Sequence, residues 1–155
     1  MLPTIRLKEK AERRLKGGHL WVYSNEVDIQ STPLKGLPAG SEAVIETSAG
    51  KALGRAVLSP EQLICARLYS RDGKQPLDAS FIVHRLKIAL SSRELWYPDQ
   101  CYRWVYGDSD SLPGLVIDRF MDVVVVQISS AAMEARRQDI IDAINKVAKP
   151  SCIVL

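Results

Sequence analysis

The sequence has no run of about 18 consecutive apolar residues, so no segment reads as a membrane span. Charges occupy the N-terminal stretch where a signal peptide would be apolar, and the expected compartment is the cytoplasm. Cysteine and histidine are scarce. Cys65, Cys101 and Cys152 are odd in number, widely spaced and without a Cys-x-x-Cys pair, and read as reduced thiols. With His19 and His84 as the two imidazoles, no spaced pair of ligands exists on which to build a zinc site, and no metal is expected.

At 155 residues the chain has room for one ordinary domain or two small ones. Apolar residues at 46% and charged residues at 25% match a folded protein rather than a disordered one. The net charge of +3 is unevenly spread: residues 1–20 carry six basic against two acidic side chains, and the remainder is slightly acidic. A basic end on a balanced protein suggests an edge that meets a polyanion; a solvated basic helix is the alternative.

The first half reads as short strands and tight turns: TIRL (4–7), two runs within EAVIETSAGKALGRAVL (42–58), and LICARLY (63–69). A short helix is expected over 8–16, stopped by Gly17-Gly18. Residues 70–80 are the best linker by composition, after which the period becomes helical over 81–97. That helix carries two apolar stripes, one through Ile82, Leu86, Ala89 and Leu90 and one through Phe81, Ile88 and Leu95, so it is expected to pack against two bodies. Strands are then expected over 102–106, 115–120 and 123–129, a helix over 131–148, and a strand from 151. The resulting expectation is a domain over 1–72, a linker and bridging helix over 73–98, and an α+β domain over 99–155. The final SCIVL begins an apolar strand with no polar tail, which suggests a chain cut from something longer. An unpartnered edge there would allow pairing between copies as a homodimer.

GDSDSLPGLVIDRF (107–120) invites a catalytic or metal-binding reading. Leu112-Pro113-Gly114-Leu115, however, fits a type II turn, with glycine at the position that needs positive φ. Asp108, Ser109, Asp110 and Ser111 have short side chains suited to bonding nearby amides, and no glutamate supplies the bidentate ligand of a calcium loop. A structured turn is the leading reading, with an interdomain or substrate-facing loop as the next.

In KEKAERRLKGGHLWVYSNEV (8–27), Leu7, Ala11 and Leu15 share a helical face, with Lys10, Arg13 and Arg14 beside it. Docking of the apolar face would turn the basic one outward. Candidate RNA contacts are Lys10, Arg13, Arg14, Lys16 and His19. For His19 a structural or capping role competes with the contact, and for Trp21 and Tyr23 packing competes with stacking.

Two stretches carry a resemblance. The run from Arg13 through GGHLWVYSNEV resembles the start of the PUA domain in the PUA-containing class I S-adenosylmethionine-dependent RNA methyltransferases. YRWVYGDSDSLPGLVIDRF resembles that family's middle-domain signature, and GRAVLSPEQLICARL (54–68) extends the likeness over nearly the whole chain. The resemblance implies an α+β protein: a PUA-like β pseudobarrel, a small strand-strand-helix-strand-strand domain, and a C-terminal Rossmann-like domain that is absent here. It implies binding of structured, ribosomal RNA, and methylation of cytosine C5 in large-subunit ribosomal RNA by the parent protein. S-adenosylmethionine is implied for that parent; this chain has no Gly-rich loop after a strand to hold it, and no catalytic or cofactor-binding residue is assigned. Asp108 and Asp110 are expected to orient the middle domain against the missing catalytic one. A stand-alone RNA-binding or interaction module without enzymatic activity is the alternative. Met121 stands where the family commonly has glycine, which predicts a longer or strained turn before Asp122.

Overall fold

The computed structural model describes residues 2–155, which divide into a first unit ending at Pro76 and a second running Leu77–Leu155. In the first unit five strands form one sheet in the order β1-β3-β4-β5-β2: β1 Thr4–Arg6, β2 Trp21–Tyr23, β3 Glu42–Glu46, β4 Ala52–Leu58 and β5 Ile64–Ser70. β1 runs parallel to β3 and the other pairings are antiparallel. The chain leaving β2 turns back to β1, where Leu7 bridges Val27 and the Lys8 and Asp28 amides donate to the carbonyls of Glu26 and Arg6 at 2.8 and 2.9 Å. The two sheet edges are thereby joined and the sheet curls around Ile5, Leu7, Val22, Ile45, Leu58 and Leu68, all buried. Alternation in EAVIE explains which side faces in, since Ala43 and Ile45 are buried and their neighbours are not.

One glycine is indispensable to this curl. Gly54 has φ +153°, and a Cβ there would lie 2.2 Å from the Ser70 carbonyl oxygen on the neighbouring strand. Beside it a polar cluster is built into the sheet. Arg55 donates to Glu42 at 2.5 Å, the Tyr69 hydroxyl donates to the same carboxylate oxygen at 2.6 Å, and Arg55 Nε donates to the Tyr69 oxygen at 3.2 Å.

The second unit begins with α2, Ala79–Trp96. It starts earlier than periodicity suggests because Asp78 caps it, accepting the Phe81 amide at 2.8 Å. Phe81, Ile82, Leu86 and Ala89 are buried, while Ile88 and Leu95 of the other stripe are exposed. A four-stranded sheet follows in the order β6-β7-β8-β9, comprising β6 Cys101–Tyr106, β7 Leu115–Phe120, β8 Val123–Ile128 and β9 Cys152–Val154. β8 and β9 are parallel, connected through α3 Ala131–Glu134 and α4 Arg137–Ala148. The single helix expected over 131–148 is therefore two. Arg136 leaves helical geometry at φ −115°, ψ 20°, and its guanidinium donates to the carbonyls of Leu77 and Ala132.

At one end of this sheet Cys101, Phe120, Val123 and Cys152 pair in one cross-strand row. The β7–β8 connection is the two-residue turn Met121-Asp122, so the turn is strained rather than longer: Met121 carries φ +58°. Buried Arg119 secures it, donating to the Met121 carbonyl at 2.9 Å and to Gln100 at 2.8 Å. In the core of the unit Trp104 is fully buried, with its indole nitrogen donating to the Leu86 carbonyl at 3.0 Å.

Candidate nucleic-acid interface

The basic segment becomes a turn and a short helix. Lys10 adopts φ +69° in the turn, and α1 covers Glu12–Lys16 rather than the whole of 8–16. Buried Leu15 anchors α1 on the curled sheet and Ala11 packs beside it, so the opposite side of the segment faces solvent. Lys10, Arg13, Lys16 and His19 are all exposed, and Arg14 is half-buried.

These five residues are held differently. Arg14 donates to Glu26 at 3.0 Å, and its guanidinium carbon lies 4.8 Å from the Tyr23 ring centroid. Glu26 is itself fixed by the Tyr23 amide at 2.9 Å, so Arg14 is a structural strut whose charge is already partnered. Exposed Lys16 lies 3.6 Å from half-buried Glu12, too long and too open on the lysine side to be worth much. Lys10 and Arg13 have no side-chain hydrogen bond or ion pair among the described residues. They are the two expected contacts whose positive charge is fully available to an anion.

The C-terminal end of α1 is fastened by a residue that the sequence does not single out. Arg71 donates to the Leu15 carbonyl at 2.6 Å, which also accepts the Gly18 amide, and to the His19 carbonyl just beyond the helix at 2.9 Å. Gly18, not Gly17, takes the left-handed conformation, with φ +106°. The His19 backbone thus serves the cap, and its exposed imidazole has no partner among the described residues.

β2 adds an aromatic element. Val22 is buried, and Trp21 on the other side of the strand is 40% exposed, so its ring is not in the core. The packing role for Trp21 is corrected accordingly. Trp21 pairs directly with Arg67 of β5, which places the two side chains on one face of the sheet. Arg67 likewise has no partner among the described residues. Long-range register brings this arginine to the site, and nothing in the local sequence announces it.

The acidic loop of the second unit is built as a turn. The Leu115 amide donates to the Leu112 carbonyl at 3.0 Å, with Gly114 at φ +84° as a type II turn requires. Asp110 is buried and faces inward, accepting Arg93 at 2.7 Å and the Tyr106 amide at 2.7 Å, while its carbonyl accepts Arg85 at 2.9 Å. Both carboxylate bonds fall on Oδ2 and stay within the unit. Asp108 is half-buried at the start of the same loop. Among the described residues no three His, Cys, Asp or Glu side chains gather as metal ligands, and no helix is long and apolar enough to cross a membrane. The strand-to-helix passage from β8 to α4 contains no glycine between Ser129 and Arg136, so that passage lacks the Gly-rich turn with which such a loop approaches a dinucleotide-type cofactor.

Residues 5–71, which carry the curled sheet and its outward basic helix, match the family described as the PUA-like domain. Over almost its whole length the chain is homologous to proteins named ribosomal RNA large subunit methyltransferase I. It is 34% identical to that of Tolumonas auensis, covering 99% of this chain and 38% of the relative, and 33% identical to that of Shewanella denitrificans, covering 97% and 38%. The chain thus spans about two fifths of the length of these relatives. Two solved structures share the fold at 21% identity. A candidate SAM-dependent methyltransferase from Streptococcus mutans has a TM-score of 0.80 over 96% of this chain and 39% of its own. A candidate methyltransferase complexed with SAH has a TM-score of 0.79 over 99% and 40%.

Proposed function

We propose that this chain is the RNA-recruiting portion of an S-adenosylmethionine-dependent ribosomal RNA methyltransferase, with methyl transfer carried out by the length of protein that the relatives have and this chain does not span. The observation that carries the reading is the pair Lys10, in the turn before α1, and Arg13, on α1: two unpartnered cations on a segment that Leu15 anchors on the sheet and Arg71 fastens at its C-terminal end. Holding cations in place before binding reduces the ordering cost of each phosphate contact. Arg67 beside the exposed Trp21 adds a cation next to a stacking surface. Large-subunit ribosomal RNA is the substrate class that the relatives' names support, and cytosine C5 is the position that the family resemblance implies. S-adenosylmethionine belongs to the whole protein, and no residue here is assigned to it.

For the acidic loop we propose docking to the rest of the whole protein through the shape that Asp110 maintains, with half-buried Asp108 and exposed Ser109 on the same loop. The test of the RNA reading is the affinity of this chain for a structured ribosomal RNA fragment across a salt series. Phosphate-dominated binding makes log affinity fall linearly with log salt, and Arg13→Ala should lower that slope by about one. Affinity independent of salt, or an Arg13→Glu variant that binds as well as the parent, would overturn the reading.

A further inference from the structure

The last turn of α2 and strand β6 enclose an open cleft of about 460 Å³ in the second unit. Its walls are chiefly Arg93, Trp96, Tyr97, Tyr102, Arg103 and Tyr106. Helical spacing puts Arg93 and Trp96 on one side of α2, Tyr97 follows at its end in extended conformation, and the edge strand β6 supplies Tyr102, Arg103 and Tyr106. Trp96 is 74% exposed, and Tyr97 and Tyr106 are more than half exposed, so large ring faces meet water. No aliphatic side chain lines the cleft.

The arginines and tyrosines of the walls are held before any ligand arrives. Arg93 is fixed by Asp110 and by the Arg103 carbonyl at 3.1 Å. Arg103 forms a two-pronged pair with Asp118 at 2.9 and 3.1 Å, and its guanidinium carbon lies 5.4 Å from the Tyr106 ring centroid. Tyr97 and Tyr102 lie against each other with centroids 6.0 Å apart. Both guanidinium groups are neutralised by carboxylates, so the cleft offers a phosphate no uncompensated charge. It offers flat π surfaces, ring hydroxyls and a volume in the range of small-ligand sites. Aromatic rings and arginine also mark protein–protein interfaces; what favours a planar, hydrogen-bonding base here is that no aliphatic side chain joins them, since stacking uses flat π faces alone.

We infer that this cleft takes an unstacked base of single-stranded RNA. The inference rests on the RNA-binding reading and adds a second contact, of different chemistry, to the electrostatic one on α1. Stacking makes it tolerant of sequence, since every base has a π face.

The test uses the full chain, a blunt RNA hairpin, a ten-nucleotide oligoadenylate and the same oligomer carrying abasic sites, with binding read by anisotropy. Trp96→Ala should weaken oligoadenylate binding about tenfold and leave the hairpin unchanged, while Trp96→Phe keeps most of the affinity. The abasic oligomer should bind the parent as weakly as oligoadenylate binds Trp96→Ala. If Trp96→Ala and Tyr106→Ala bind oligoadenylate like the parent, the cleft assignment fails; loss of hairpin binding in Arg13→Glu would then leave the RNA reading standing. If the parent binds neither RNA, both fail. If Trp96→Ala instead reduces the mass seen by light scattering, with RNA affinities unchanged, the cleft is a surface between copies and the inference is overturned.

Discussion

In the second unit every arginine has a hydrogen-bond acceptor: Arg85 and Arg93 on the acidic loop, Arg103 on Asp118, Arg119 on the Met121 turn, Arg136 on the Leu77 carbonyl and Arg137 on Glu134. In the first unit Arg13 and Arg67 have none among the described residues, and they stand beside Lys10 and Trp21 on the outer surface. Twelve basic against eight acidic side chains give the first unit its excess, whereas the second has nine against ten. A guanidinium with two or three acceptors ties backbone together; one without an acceptor remains open to a ligand. The second unit thus puts every arginine to structural use, whereas the first ties down Arg14, Arg55 and Arg71 and leaves Arg13 and Arg67 for the RNA contact we propose.

The sharpest way to break this contrast is to remove a structural tie. Asp110→Ala leaves Arg93 partly buried without its carboxylate and frees the Tyr106 amide, and should cost the second unit about 3 kcal/mol. Calorimetry should show one transition moving down and the other holding. A single uniform shift would mean that the units do not unfold separately.

Next in size is a pH effect confined to the first unit. Burial pushes the Cys65 thiol from its ordinary 9.0 up to about 11, and burial, followed by the hydrogen bond to Glu42, raises the Tyr69 phenol. The unfolded chain releases these protons at lower pH than the folded one, so stability is fully present below pH 9 and falls as pH rises toward 11. The Cys65 contribution should be about 2 kcal/mol, and Cys65→Val should remove it when unfolding is followed by urea titration at pH 8 and pH 10.5. Equal alkaline sensitivity in both units would refute the assignment.

The smallest expected effect sharpens the comparison from the other side. Met121 holds a left-handed conformation that glycine adopts without strain, so Met121→Gly should stabilise the second unit by about 1 kcal/mol. It should leave the alkaline transition of the first unit unmoved. Thermal unfolding of the two proteins checks this directly.

Much of the architecture was legible in local pattern. Alternation in EAVIE and the Leu112-Pro113-Gly114 turn each reflect forces that act within a few residues. What escaped depends on partners distant in sequence. β2 is three residues within a basic stretch and exists because β5 pairs with it. Arg71 reaches α1 across more than fifty positions, and Arg67 reaches Trp21 only through strand register. The helix break at Arg136 follows from where its guanidinium finds the Leu77 carbonyl, whereas 3.6-residue periodicity continues through the break. At the candidate site, Lys10 and Arg13 could be read from the sequence as basic and outward; that Arg14 is a strut could not.

The cross-strand row of Cys101, Phe120, Val123 and Cys152 also makes the sheet a measuring device. Its two thiols, both exposed, sit on the same face at opposite edges, three strand spacings or about 14 Å apart. Buried Cys65, with its raised pKa, stays a poorly reactive thiol. Paired labels placed on the native protein without any mutation would therefore report, through the separation of residues 101 and 152, whether the three-residue strand β9 stays docked as temperature or denaturant is raised.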